Sequence, residues 1–230
     1  MVVAMHMSDG LVNAPTSLAF GLFAVLALTV AVSRARAALD DRTAPMAGLV
    51  TAFVFAVQMI NFPILPGASG HLLGGALVAI LVGPWVGTLC IAIVLLVQGV
   101  LFADGGLTAL GMNITNMAIV GVFTGYLVAR SLRRFAQRSR GGLLAVAFTA
   151  AFVNTVVASL AFVLEYALGG AGGASLGTVF ALMVGLHALI GIGEGLITAA
   201  TVGAVAGTRP DLIYLLRQPV RGRAAAGSAR

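Results

Sequence analysis

Long apolar stretches without charge, separated by short polar segments, set the pattern of this chain. The stretches are Thr16–Ser33, Ala44–Phe62, His71–Gly83, Pro84–Phe102, Leu107–Ala129, Gly142–Leu164 and Ser175–Gly207. A helix that crosses a bilayer needs about 20 residues, with a range of about 17–25. The third stretch is short. The block from Phe62 to Phe102 is too long for one helix and too short for three, and Gly83-Pro84 is a natural break in it. The last stretch is over-long, which predicts a tilted helix or a kink near Gly191, Gly193 and Gly195.

Arginine placement turns these stretches into a topology. All 13 basic residues are arginine, and they fall in Arg34–Arg42, Arg130–Arg140 and Arg209–Arg230. The positive-inside rule puts all three segments in the cytoplasm. Segments on one side are separated by an even number of spans. Ala44–Ala129 must then hold four spans, and two more lie between the second segment and the tail. With Thr16–Ser33 the total is seven, N-terminus outside and C-terminus inside. The reading divides the chain into an N-terminal segment (1–15), a seven-helix bundle (16–208) and a basic cytoplasmic tail (209–230). The outer segments are Met1–Pro15, Pro63–Gly70, Ala103–Gly106 and about Glu165–Ala174. They contain no arginine but hold Asp9, Asp104 and Glu165, so an arriving cation meets no repulsive charge.

Composition agrees with this picture. The chain is 60% hydrophobic and only 9% charged, with a mean hydropathy of +1.08. That is a polytopic membrane protein, not a soluble domain. The net charge of +6 sits in the loops and tail, which favours anionic headgroups over nucleic acid. The segment Arg217–Arg230 reads as disordered beside those headgroups. With no lysine there is no P-loop, so any ATP hydrolysis belongs to another chain. HExxH is absent, which argues against an intramembrane zinc protease. No internal repeat of the kind secondary carriers use is evident. Cys90 reads as a small buried hydrophobe, and Gln58 and Gln98 as hydrogen-bonders between helices. The small-residue pairs Ala27/Ala31 and Ala52/Ala56 suit internal packing or a partner's helices.

Three histidines are the candidate chemistry: His6, His71 and His187. His71 follows an irregular Pro/Gly-rich stretch, and non-helical backbone at membrane depth must be buried or line a cavity. The opening "MHMSDG" at Met5–Gly10 suggests more. In a chain beginning at Met5, the α-amine, the His6 amide nitrogen and the His6 Nδ1 form fused chelate rings around one metal. His71 could complete a plane of four nitrogens, a geometry suited to Ni(II), Cu(II) or low-spin Co(II). Residues Met1–Ala4 would abolish the terminal amine, so either Met5 is the working start or the site works differently. Binding displaces protons and should strengthen as pH rises.

Five stretches together resemble the CbiM/NikM family, the substrate-specific membrane components of energy-coupling factor (ECF) transporters for cobalt and nickel. They are "MHMSDG" (Met5–Gly10), "PGASGHLLGG" (Pro66–Gly75), "GPW" (Gly83–Trp85), "FADGGLTALGMNITNMA" (Phe102–Ala118) and "HALIGIGEGLIT" (His187–Thr198). The resemblance implies an all-α polytopic fold, with seven transmembrane helices and an extracellular N-terminal segment plugged into the bundle. It implies a metal site of Met5, His6 and His71, with Co2+ or Ni2+ bound as substrate and no resident cofactor. It also implies a multi-pass protein of a bacterial or archaeal plasma membrane. The expected partners are a transmembrane coupling subunit, two ATPase subunits and a small accessory membrane subunit. Cobalt for cobalamin synthesis is favoured over nickel; a stand-alone metal channel or carrier is the rival. Ser8 stands where the family usually has proline. Asp9 is expected to fix the N-terminal segment by accepting hydrogen bonds, and Asn113 and Asn116, at i, i+3, to bind its backbone. His187 and Glu194, seven apart, share a helix face. His187 reads as a core histidine, and Glu194 as either a structural acceptor or part of an ion path.

Overall fold

The computed structural model describes residues 6–65 and 68–217. Helix α1 runs Ala14–Arg36, α2 Thr43–Gln58, α3 Gly75–Val82 and α4 Pro84–Leu101. After these come α5 at Leu110–Ser131, α6 at Arg140–Gly169 and α7 at Leu176–Thr208. Local chemistry sets several starts. The Asn13 and Ser175 side chains accept hydrogen bonds from Thr16 N and Thr178 N, and Ser139 does the same for Gly142 N. Asp40 Oδ1 accepts from Thr43 N at 2.6 Å and opens α2. Hydrogen bonds from Thr43 hold the Asp40 carboxyl below its ordinary pKa.

Five of these helices, α1 and α4–α7, are long and apolar enough to cross a membrane. The other two are shorter: α2 has 16 residues and α3 has 8. An all-helical chain was expected, but a two-stranded antiparallel hairpin precedes α3, β1 at Asn61–Leu65 with β2 at Ala68–His71. The reason is backbone accounting. Chain that dips among helices without being helical must still pair its N–H and C=O groups, and a hairpin pairs them on itself.

Packing relies on close approach, because apolar helices in lipid gain little from burying apolar surface. A Cβ at Gly111 of α5 would collide with Gly21 of α1. One at Gly125 would lie 2.6 Å from the Ala76 Cα of α3. Helix α7 runs unbroken through Gly191, Gly193 and Gly195, so the expected kink is not found there. Gly191 and Gly195 instead seat Phe152 and Phe148 of α6, the helix with which α7 packs most extensively. Residues Ile114–Gly121 of α5 adopt a π-helical turn that the sequence pattern did not announce. Glu165, expected in an outer loop, lies within α6 and is buried. Ala31 is buried, whereas Ala52 and Ala56 face outward.

The two ends of the bundle differ. Val12 bridges Gly170, and Asn13 N donates to Gly169 O at 2.7 Å. The start of α1 and the end of α6 therefore share one end with His6. Arg34, Arg36 and Arg140 occupy the opposite ends of the same helices. There Pro210–Leu212 and Tyr214–Leu216 form short 3-10 turns that bury Ile213 and Leu215. Arg217 donates to Thr43 Oγ1 at 3.0 Å, and Arg133 to the Arg217 carbonyl. The first part of the expected tail is thus docked under the bundle. Residues 218–230 lie outside the described part.

Candidate metal site

Residues 6–12 turn inward at the end of the bundle. His6, Met7, Leu11 and Val12 are all buried. Asn113 holds this segment with both ends of its amide: Oδ1 accepts from Met7 N at 3.0 Å and Nδ2 donates to Met7 O at 3.2 Å. Gly106 N also donates to Met7 O. Asp9 Oδ1 accepts from Thr108 N at 2.8 Å and Thr108 Oγ1 at 2.5 Å. Asp9 and Asn113 thus tie residues 6–9 to residues 108–113. Asn116 differs. Its Nδ2 donates to Glu165 Oε2 at 2.7 Å, away from the N-terminal segment. The π-helical turn explains this, since a wider turn no longer brings residues three apart onto one face.

The His6 and His71 rings meet, with centroids 4.5 Å apart and planes tilted by 53°. They are 65 residues apart in sequence. His71 Nδ1 lies 2.9 Å from Leu72 O. A carbonyl only accepts, so Nδ1 carries the proton and Nε2 keeps its lone pair for a ligand. Three helices hold the residues that follow. Glu194 of α7 accepts from Leu73 N through Oε2 at 2.5 Å and from Gly74 N through Oε1 at 2.8 Å. Asn154 of α6 donates to the same Oε1 at 3.2 Å, and Gln58 of α2 donates to Leu73 O at 2.7 Å. Glu194 thus accepts hydrogen bonds from the loop that carries His71.

His6 Nδ1 lies 3.4 Å from Asp104 Oδ1, while His6 Nε2 has no hydrogen-bond partner among the described residues. A cavity of about 40 Å³ adjoins the pair, lined by His6, His71, Asn116, Ser159, Met183 and His187 among others. About one probe sphere of such space already admits a water, so the cavity is large enough for one ion. His187 Nδ1 bonds Met183 O at 2.8 Å, as a core histidine would, yet its ring still lines the cavity. Among the described residues, no group of three or more His, Cys, Asp or Glu side chains is placed to hold a metal ion. The imidazoles of His6 and His71 are the two side-chain nitrogen ligands that meet beside the cavity. Met5, the expected amine ligand, lies outside the described residues.

Some of this escaped the sequence. Asp104 was noted only as an outer acid, not as a neighbour of His6. Glu165 carried a usable signal, being an ionisable residue beside a long apolar run. Thr108, Asn154 and Ser159 carried none. Gln58 bonds a loop rather than a helix. Gln98, expected to join helices, is buried with no partner for either side-chain polar atom among the described residues. Cys90 is buried, as expected.

The family model described as "Cobalt uptake substrate-specific transmembrane region", CbiM, matches residues 6–212, nearly all of the chain. The chain belongs to the CbiM family. This family member is 40% identical, over 91% of its length and 68% of the relative's, to a putative fused nickel transport protein, NikMN, of Archaeoglobus fulgidus. It is 30% identical to the cobalt transport protein CbiM of Sorangium cellulosum, over 93% of this chain and 96% of that one. Among solved structures, a truncated transition metal transporter superposes with a TM-score of 0.82 at 28% identity. That match covers 88% of this chain and 99% of the other. Family and apolar helices together make this chain a membrane transport component rather than an enzyme.

Proposed function

We propose that this chain is the metal-binding membrane component of an ECF-type importer. Its cargo is Co2+ destined for cobalamin synthesis, or Ni2+ in the alternative reading. The observation that carries this is the contact between the buried His6 and His71 rings beside a cavity large enough for one ion. Two imidazoles alone hold a divalent ion weakly. Adding the His6 amide nitrogen and a terminal amine at Met5 gives four nitrogens in a plane. Asp104, 3.4 Å from His6 Nδ1, adds negative charge beside that plane and helps offset the cation. The ligand set suits cobalt and nickel equally, and the relatives carry both names.

The arginine-bearing helix ends lie opposite His6, which supports an extracellular capture site by the positive-inside rule. Seven spans follow if α2 and the hairpin with α3 each cross. ATP hydrolysis falls to two partner ATPases through a transmembrane coupling subunit, with a small accessory membrane subunit completing the complex. The outward Ala52 and Ala56 offer a small-residue face for its helices. A stand-alone channel or carrier would take up metal without those partners.

The test is metal content after purification of two forms, beginning at Met1 and at Met5, each exposed to equal cobalt and nickel. The expected result is one metal per chain for the Met5 form alone, with the metal ratio giving the preferred cargo. Equal loading of both forms removes the amine from the ligand set. Loading of neither overturns the capture reading.

A further inference from the structure

The cavity beside His6 and His71 is also lined by residues that the capture reading does not use. Asn116 lies three residues further along α5 than Asn113, which holds the N-terminal segment. Asn116 is only 4% exposed, yet its Oδ1 has no hydrogen-bond partner among the described residues. Its Nδ2 is pinned by Glu165, so the amide cannot turn to bury Oδ1 elsewhere. A buried acceptor without a partner is costly and calls for an occupant. Glu165 is itself 1% exposed, and Oε1 has no partner among the described residues. By accepting from Nδ2, the Glu165 carboxyl polarises the Asn116 amide and makes Oδ1 a stronger donor of electron density.

His187 lines the same cavity. Because Nδ1 gives its proton to Met183 O, Nε2 is left as a lone-pair donor. The thioethers of Met117 and Met183 lie in the same lining, as does Ser159. Imidazole nitrogen, amide oxygen and thioether sulfur, backed by one carboxylate, form a donor set for a borderline divalent transition metal. The set lacks the chelate rings of the capture site, so it binds more weakly.

We propose that His187 Nε2 and Asn116 Oδ1, with the Glu165 carboxylate behind Asn116, form a second and weaker station for a divalent transition-metal ion. It lines the same cavity as the His6–His71 pair. This rests on the capture reading above and adds a step to it. The ion leaves four nitrogens for a site of lower affinity before it exits, so tight capture does not become a trap. The carboxylate touches Asn116 and acts through it, as a positioning group.

The experiment uses the full chain beginning at Met1 with His6→Ala and His71→Ala, which removes the capture ligands. Co2+ alone is titrated and followed by its visible absorption. The expected result is weak binding, saturating at about millimolar metal. Adding His187→Ala lowers its affinity about tenfold or more, and adding Glu165→Gln lowers it less. His187→Gln is run alongside to separate loss of a ligand from loss of the fold. Absence of Co2+ absorption in the double variant, or absorption unchanged by either His187 substitution, overturns the proposal. The unsubstituted form beginning at Met5 is measured in parallel. If it holds one metal while the double variant holds none, capture stands and the second station falls. If it holds none while the double variant shows His187-dependent binding, the station stands and the capture reading falls.

Discussion

Asn113 spends its whole hydrogen-bonding capacity toward Met7 on one segment, bonding both the N–H and the C=O of that residue. Replacing it with leucine leaves the buried Met7 N–H without that partner, while Met7 O keeps Gly106 N, and frees His6 from its place beside His71. Metal affinity is expected to fall about 10- to 100-fold, as when outer partners of other metal ligands are removed. Helix content by circular dichroism should hardly change; a large loss would mean that Asn113 supports the fold rather than the site. Acidity acts on the same atoms. In the proposed ligand set the amine, the His6 amide and the imidazoles must be free of protons to hold metal, so affinity should rise with pH and fall on acidification. A titration of metal binding from acid to neutral pH checks this, and a flat profile would remove proton-linked nitrogen ligands from the account.

Glu194 and the hairpin show how separate elements cooperate. The carboxylate accepts backbone N–H groups from Leu73 and Gly74, both on the loop that carries His71. Glu194→Gln keeps the shape but offers one acceptor oxygen where two are used. One buried N–H then faces a donor, which costs about 1–3 kcal/mol. The thermal midpoint and the metal affinity should fall together, because α7 then no longer fixes the His71 loop. Unchanged metal affinity in a stable Glu194→Gln protein would show that His71 is held by Gln58 and the hairpin alone. The crossing of α1 and α5 is a second case. Gly111→Val places a side chain where Gly21 already sits. The expected cost is about 1–3 kcal/mol of overpacking, read as a lower melting temperature in detergent. Gly48→Ala, where no atom lies within 4 Å of the added Cβ, meets no such clash.

For the molecule as a whole, the arginine-bearing helix ends and the His6 end are opposite faces of one bundle. A Cys90→Ala background carries no other cysteine. In it, Ala171→Cys should react with a membrane-impermeant thiol reagent on intact cells, and Arg138→Cys only after permeabilisation. Both positions are exposed. The reverse pattern would put the capture site inside and sink the import direction. The docked segment ending at Arg217 belongs to the arginine face, tied to Thr43 and Arg133.

What the sequence determined by itself was what one-dimensional quantities can carry. Apolar length marks the long helices, and arginine segregation marks which ends lie together, because each is a property of local residues in a solvent that rejects charge. The candidacy of His6 and His71 also came from local context, a short N-terminal motif and an irregular loop. The tertiary structure alone decided the rest. Asp104 meets His6 across 98 positions of sequence, and Glu165 meets Asn116 across 49. No local pattern encodes such distances. Asn116 and Asn113 share an ideal α-helical face on paper, but the π-helical turn at Ile114–Gly121 sends them to different partners. The hairpin before His71 likewise depends on what surrounds it, since only the packed bundle removes water from its backbone and makes self-pairing obligatory.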